Sequence, residues 1–236
     1  MQIVVTDVFW DLFPDAQIGV AIVRGCDNAI ATERPGALLA AEIAATAAAL
    51  EGVDIASHPA VAPWRAAYAR FGAKPSKFRS SIESLLRSAQ AGRLRSISPL
   101  VDLYNVVSLR HQLPCGGEDL AAIVGDIRLT RASGGESFRT IGAERDEPPA
   151  PGEVIYADAA GAICRCFNWR EADRTKLTGA TTDAMLVIEA LADQPANRVG
   201  AALAELAALV PSLVGGVVQT AVLHRTHPAL TISAAG

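Results

Sequence analysis

The chain has 236 residues, half of them apolar and 19% charged, with a formal net charge of −4. That balance excludes intrinsic disorder and leaves room for one sizeable core or two small ones, and with only 5% aromatic residues the core is expected to be aliphatic. The longest apolar stretch, Ala37–Leu50, is shorter than the roughly 18 residues a membrane span needs and is interrupted by Glu42, and the N-terminus has no basic leader and reaches Asp7 at once. A soluble, cytoplasmic protein with no membrane partner is therefore expected.

In chain order, Gln2–Thr6 and Gln17–Arg24 read as short apolar strands around a turn at Phe13–Pro14. Glu33–Leu50 reads as an Ala-rich helix and Pro63–Phe71 as a second. Gly72–Lys77 is a basic loop broken by Pro75. Ser80 followed by Glu83 and an apolar run is a capping-box start for a helix reaching about Gln90. Pro99–Leu109 is the next helix, with Ser98 as its cap. The period then changes. Ile127 and Leu129, then Phe138 and Ile141, predict a hairpin around Ser133–Glu136. Glu153–Ala157 and Ala162–Phe167 predict a second one around Asp158–Gly161. Thr182–Leu191 and Arg198–Leu209 read as helices, Gly216–Leu223 as a final strand, and the tail after Pro228 as loose. Helices first, hairpins in the middle and a closing strand point to an α+β fold in a single domain over residues 1–236.

The four cysteines, Cys26, Cys115, Cys164 and Cys166, form no C-x-x-C pair, so buried free thiols are expected. His224 and His227 lie three apart with no third ligand nearby, so no metal centre is expected. No G-x-S-x-G elbow, P-loop, dinucleotide G-x-G-x-x-G or H-E-x-x-H is present, and no cofactor is expected. Charge is unevenly spread: residues 64–95 carry a balance of +7, between flanks of −6 and −5. Such a segment suits a polyanion locally, although the whole chain would repel one.

Three polar clusters stand out. Lys74–Ser81 (KPSKFRSS) brings Lys74, Lys77, Arg79, Ser80 and Ser81 to a helix N-terminus, a reasonable phosphate seat. Asp102, Asn105 and Ser108 share one stripe of an otherwise apolar helix; Asp102 is expected to serve a structural network. Asn168, Trp169, Arg170 and Glu171 crowd a strand end, a common place for a small-molecule site.

These clusters occur within five blocks: WRAAYARFG (Trp64–Gly72), KPSKFRSSIESLLR (Lys74–Arg87), LVDLYNVVSL (Leu100–Leu109), PGEVIYAD (Pro151–Asp158) and CFNWR (Cys166–Arg170). Together they resemble the tRNA-editing (B3/B4) domain of the phenylalanyl-tRNA synthetase β subunit, over roughly residues 60–190, and more closely the stand-alone relatives of that domain. The resemblance implies a three-layer α+β fold containing a β-sandwich and packed helices. It also implies hydrolysis of a mischarged aminoacyl-tRNA in trans, with tRNA, and a synthetase, as partners. The synthetase domain places a histidine shortly after the buried D-x-x-N helix; that place aligns with Gly116 of PCGGED. Its glutamate for recognising the wrong amino acid aligns with Glu171. An aminoacyl ester is already activated, so its hydrolysis needs a positioned water, oxyanion donors and a side-chain pocket rather than a protein nucleophile. On this reading the Gly116 and Gly117 backbone N–H groups are the oxyanion donors, and Glu118, Asp119 and Glu171 orient water or hold the amino group. Asn105, Asn168, Trp169 and Arg170 bind the substrate, and Lys74, Lys77, Arg79, Ser80 and Ser81 bind tRNA phosphates. The alternative is a noncatalytic amino-acid- or RNA-binding module that kept the pocket and lost the chemistry.

Overall fold

The computed structural model describes residues 1–29, 33–191 and 198–233. Two sheets carry the fold. The larger joins β1 (Gln2–Val5), β4 (Ile127–Arg131), β5 (Val154–Asp158), β6 (Gly161–Arg165), β7 (Arg170–Glu171) and β10 (Ala229–Thr231) in the order β10-β1-β4-β5-β6-β7. The smaller joins β2 (Gln17–Arg24), β3 (Cys115–Asp119), β8 (Ala184–Ala190) and β9 (Val217–Leu223) in the order β3-β8-β2-β9, all antiparallel. The helices are α1 (Asp7–Trp10), α2 (Glu33–Ala49), α3 (Ala62–Arg70), α4 (Ser81–Gln90), α5 (Pro99–His111) and α6 (Arg198–Val214).

Strand alternation explains the layering. On β2, Ile18, Val20 and Ile22 face one way and meet Ile3, Val5, Ile127 and Leu129 of the larger sheet in one core. Ala21 and Val23 face the other way, into a second core with Leu100, Leu103 and Val107 of α5 and Leu203, Leu206 and Val210 of α6. The result is sheet on sheet on helices, an α+β arrangement of three layers. Gly19 is required in it: a Cβ there would stand 2.7 Å from Val199 Cγ1 of α6, so a side chain would hold helix and sheet apart.

Three segments differ from their sequence pattern. Thr182–Leu191 is not a helix: Ala184–Ala190 is strand β8, buried at every position. With neighbours on both faces it shows a continuous apolar run rather than alternation, and its Ala, Met, Leu and Glu content reads as helical. The hairpin around Ser133–Glu136 does not form. β4 lies between β1, to which it is parallel, and β5, while Thr140 makes only an isolated bridge to Ala172. The chain after Pro228 is not wholly loose, since β10 pairs antiparallel with β1; residues 234–236 lie outside the described part. The four cysteines are buried and free. Among the described residues no helix is long and apolar enough to cross a membrane.

Candidate functional site

Between the two sheets, where α4 and α5 close the side, lies a cavity of about 390 Å³. Its floor is one face of the smaller sheet: Gly116 and Glu118 from β3, and Met185, Val187 and Glu189 from β8. The intervening Leu186 and Ile188 face the helical core instead. The opposite wall is Tyr156 of β5, Cys164 of β6 and the strand end Phe167–Glu171. α5 contributes Val101, Tyr104 and Asn105, and α4 contributes Ser81, Ser84, Leu85 and Ser88, each set on one helical face.

The strand end is built by an unusual backbone. Cys166 and Phe167 both take left-handed conformations, with φ of 47° and 66°, which is costly for residues other than glycine. The turn is held by Trp169 N–H donating to the Arg165 carbonyl (3.0 Å) and Cys166 N–H donating to Glu153 Oε1 (3.0 Å). It drives Phe167 into the core, edge-on to Phe9 and Trp64, and turns Asn168 into the cavity. There Asn168 donates to Glu189 Oε2 (2.7 Å) and accepts from the Tyr68 hydroxyl (2.8 Å). The Tyr156 hydroxyl donates to the other oxygen of Glu189 at 2.7 Å. Burial pushes the Glu189 carboxyl up to about 8 despite these two donors.

Glu171 is reached from β3. Its Oε1 accepts the Gly117 N–H at 3.0 Å. Burial pushes this carboxyl up to about 7, and the Gly117 hydrogen bond is what restrains the rise. The approach depends on Gly116, because a Cβ there would come within 2.8 Å of Glu171 Oε1. The space that a side chain on Gly116 would take is thus occupied by the Glu171 carboxylate. Glu118 is 5% exposed, and its Oε2 is buried with no hydrogen-bond partner. Burial and the nearby Glu171 charge raise its carboxyl well above the ordinary range.

The remaining sequence candidates divide. Asn105, Gly116, Gly117, Glu118, Asn168, Trp169, Arg170, Glu171 and Ser81 all line the cavity. Asp119 does not: it faces away, accepting from Ala121 N–H (2.9 Å) and the Thr181 hydroxyl (2.6 Å) as a cap for the short 3-10 turn. The Gly116 and Gly117 N–H groups line the cavity but are engaged, which corrects their assignment as free donors. Gly117 serves Glu171. The Glu189 N–H to Pro114 carbonyl bond (3.1 Å) and the Leu120 N–H to Asp183 carbonyl bond (3.0 Å) set the ladder parity, so that Gly116, paired with Val187, turns its N–H toward β8. Asp102 accepts from Ser96 Oγ and Ile97 N–H, the structural role expected of it, and Ser108 donates to the Leu113 carbonyl.

Of the basic loop, Lys74, Lys77 and Arg79 are exposed. Lys77 stands over the Phe78 ring, and Phe78 meets Trp169 edge-on at 4.7 Å, so the loop borders the cavity rim. Ser80 is spent as the α4 cap, accepting Glu83 N–H at 3.3 Å. Arg79 also leans toward the buried Glu83 at 3.9 Å, alongside Arg65 and Arg87. Glu189 is a site residue that the sequence did not announce, as are Tyr104 and Tyr156. It lies in the segment read as a helix, and a lone Glu in an apolar run was its only signal.

The B3/4 domain family model matches residues 63–204, more than half of the chain and a range that includes every residue lining this cavity. The chain belongs to the B3/4 domain family. A phenylalanine–tRNA ligase β subunit from Ruegeria pomeroyi is 35% identical over 69 residues, 29% of this chain and 8% of that subunit. An N-terminal fragment of the phenylalanyl-tRNA synthetase β subunit from Pyrococcus horikoshii aligns over 92% of this chain and 49% of its own, at 12% identity and a TM-score of 0.45. The chain thus spans a small part of one relative and about half of the other. Among the described residues no three carboxylates, thiols or imidazoles converge closely enough to hold a metal ion.

Proposed function

We propose that this B3/4 domain is a free-standing aminoacyl-tRNA deacylase, one domain over residues 1–236, acting in trans in the cytoplasm on a mischarged tRNA. One observation carries the reading. Glu171 presents a carboxyl poised near neutrality, fixed by one backbone donor, inside a cavity of suitable size for an aminoacyl group. Glu171 takes a proton from water as the water oxygen bonds to the ester carbonyl carbon. The side chain of Asn105 and the Ser81 hydroxyl, both at the cavity wall, are the donors for the oxyanion in place of the engaged Gly116 and Gly117 N–H groups. Collapse breaks the bond to the ribose 3′ oxygen, which recovers the proton. The free amino acid and uncharged tRNA leave, and no cofactor is consumed. Glu171 also receives the substrate's α-ammonium, Glu118 faces its side chain, and Asn168, Trp169 and Arg170 hold the terminal nucleoside. Lys74, Lys77 and Arg79 meet acceptor-end phosphates, and a synthetase would hand over the tRNA.

The engagement of both glycine N–H groups favours one second reading, a binding module that seats an aminoacyl group without turning it over. A panel of mischarged tRNAs separates the two. Release of amino acid above the spontaneous rate from at least one supports the hydrolase. Tight binding of an uncleavable 3′-amide analogue with no turnover of any ester supports the module.

A further inference from the structure

The cavity holds more carboxyl groups than the single ammonium of an ordinary aminoacyl ester can pair with. Gly116 and Glu118 are two apart on β3 and so share a face, and the Glu171 carboxylate lies against that face at the missing Gly116 side chain. Glu189 shares the floor from β8, two positions from the Val187 that pairs with Gly116. Among the lining residues the one cation is Arg170, which is exposed at the rim with its guanidinium stacked 5.2 Å from the Trp169 ring.

The three carboxyls are not equally available. Both oxygens of Glu189 are occupied by Tyr156 and Asn168. Glu171 has one oxygen committed to Gly117, and Glu118 has a buried oxygen that completes no hydrogen bond, with the equally unsatisfied Thr175 hydroxyl near it. Two carboxyls therefore have unused acceptor capacity, and the α-ammonium of a neutral amino acid answers only one. The three do not converge on a single point where a compact metal ion could sit. The walls between them are apolar, with Leu85, Leu94, Val101, Met185 and Val187 beside the rings of Tyr104, Tyr156, Phe167 and Trp169. Apolar walls with carboxyls at separate points match a methylene chain ending in a cation.

We propose that the acyl group selected by this pocket is that of a diamino acid, an α-amino acid with an aliphatic side chain ending in a primary ammonium, the terminal ammonium being received by Glu118 and the α-ammonium by Glu171 beside the attacking water. This rests on the aminoacyl-ester reading above for its choice of substrate, though not on turnover. Burial raises both carboxyls, and a cation seated against each would draw it back toward the ordinary range.

The test uses two matched pairs. One tRNA is charged with lysine or with 2-aminoheptanoic acid, which replaces the terminal ammonium by a methyl, and kcat/KM for release is compared. In parallel, calorimetry compares the two corresponding 3′-amides of 3′-amino-3′-deoxyadenosine, which cannot hydrolyse. The lysyl member is expected to win by roughly tenfold to a hundredfold in either assay. Glu118→Gln is expected to bring that ratio to within about threefold of unity, and Glu118→Asp to restore part of it; melting curves check that both fold. If they do not fold, the matched pairs on the unaltered protein still decide. Equal or better use of the neutral member, in turnover or in binding, overturns the proposal. So does failure to bind either amide. Selective binding of the lysyl amide with no ester turnover leaves this proposal standing and removes the hydrolytic one.

Discussion

Replacing Gly116 by alanine isolates the contact on which the site turns. The added Cβ would sit 2.8 Å from Glu171 Oε1, and the next atoms, Glu171 Cδ and Val187 Cγ2, are at 3.9 and 4.0 Å. Only the end of one side chain must move, so the fold accommodates the methyl by swinging the carboxylate off the Gly117 N–H. Losing a hydrogen bond to a charged group costs about 1.5–3 kcal/mol. The backbone at this position is not left-handed, so alanine also recovers about 0.4–1 kcal/mol through the unfolded chain. Stability should therefore fall by only about 1–2 kcal/mol. The chemistry should suffer more. The Gly117 N–H is what holds the Glu171 carboxyl down at about 7; without it the carboxyl rises by roughly one to two units. The acid limb of the kcat/KM profile should shift upward by that amount, and the rate at pH 7 should fall about fivefold to fiftyfold. Gly116→His should lose more, because an imidazole must occupy the space of the carboxylate. The assay is release of amino acid from the best mischarged tRNA between pH 5.5 and 9, with Gly135→Ala as a control, since nothing lies within 4 Å of a Cβ there. A Gly116→Ala protein that keeps its rate within about twofold and its pH profile unchanged would refute the assignment of Glu171.

Three further outcomes follow from other parts of the molecule. Glu189 is held near 8 in the folded chain, above its unfolded value. The folded state therefore keeps a proton that unfolding releases, and stability declines as pH rises from about 4.5 to about 8; Glu189→Gln should flatten that slope in thermal melts, and a slope that persists unchanged would assign it elsewhere. Glu83 is fully buried and accepts from Arg65 at 2.8 Å and Arg87 at 3.0 Å, so Glu83→Ala should cost about 3–5 kcal/mol in denaturant unfolding, and a cost below about 1 kcal/mol would mean the arginines are satisfied by water. Replacing Lys77 or Lys74 by glutamine should weaken tRNA binding and reduce the slope of log K against log salt by about one each; an unchanged slope would remove the loop from the tRNA path.

Much of this protein was legible from local pattern. The α4 cap at Ser80, the α5 start at Pro99, the second hairpin and strand β2 each follow from side chains close to them in sequence. The crowding of Asn168, Trp169, Arg170 and Glu171 marked one wall of the cavity for the same reason. What stayed hidden depends on partners far along the chain. The segment CGGED has poor strand propensity and is a strand because β8 lies beside it. β8 is itself a strand because both of its faces are covered, which erases the alternation that would have announced it. That misreading concealed Glu189, and with it the fact that three carboxyls share one cavity.

Amino-acid order alone determined the α+β composition, the basic segment, the five family blocks and nine of the residues at the cavity wall. Only the tertiary structure decided that Asp119 faces away and that the glycine N–H groups are already engaged. It also decided that the side-chain space of Gly116 is filled by the carboxylate of the distant Glu171. The reason is physical: capping, turn and helix signals act over a few residues, whereas burial, the pairing of carboxyls and the direction of a backbone donor are properties of whatever the fold brings alongside.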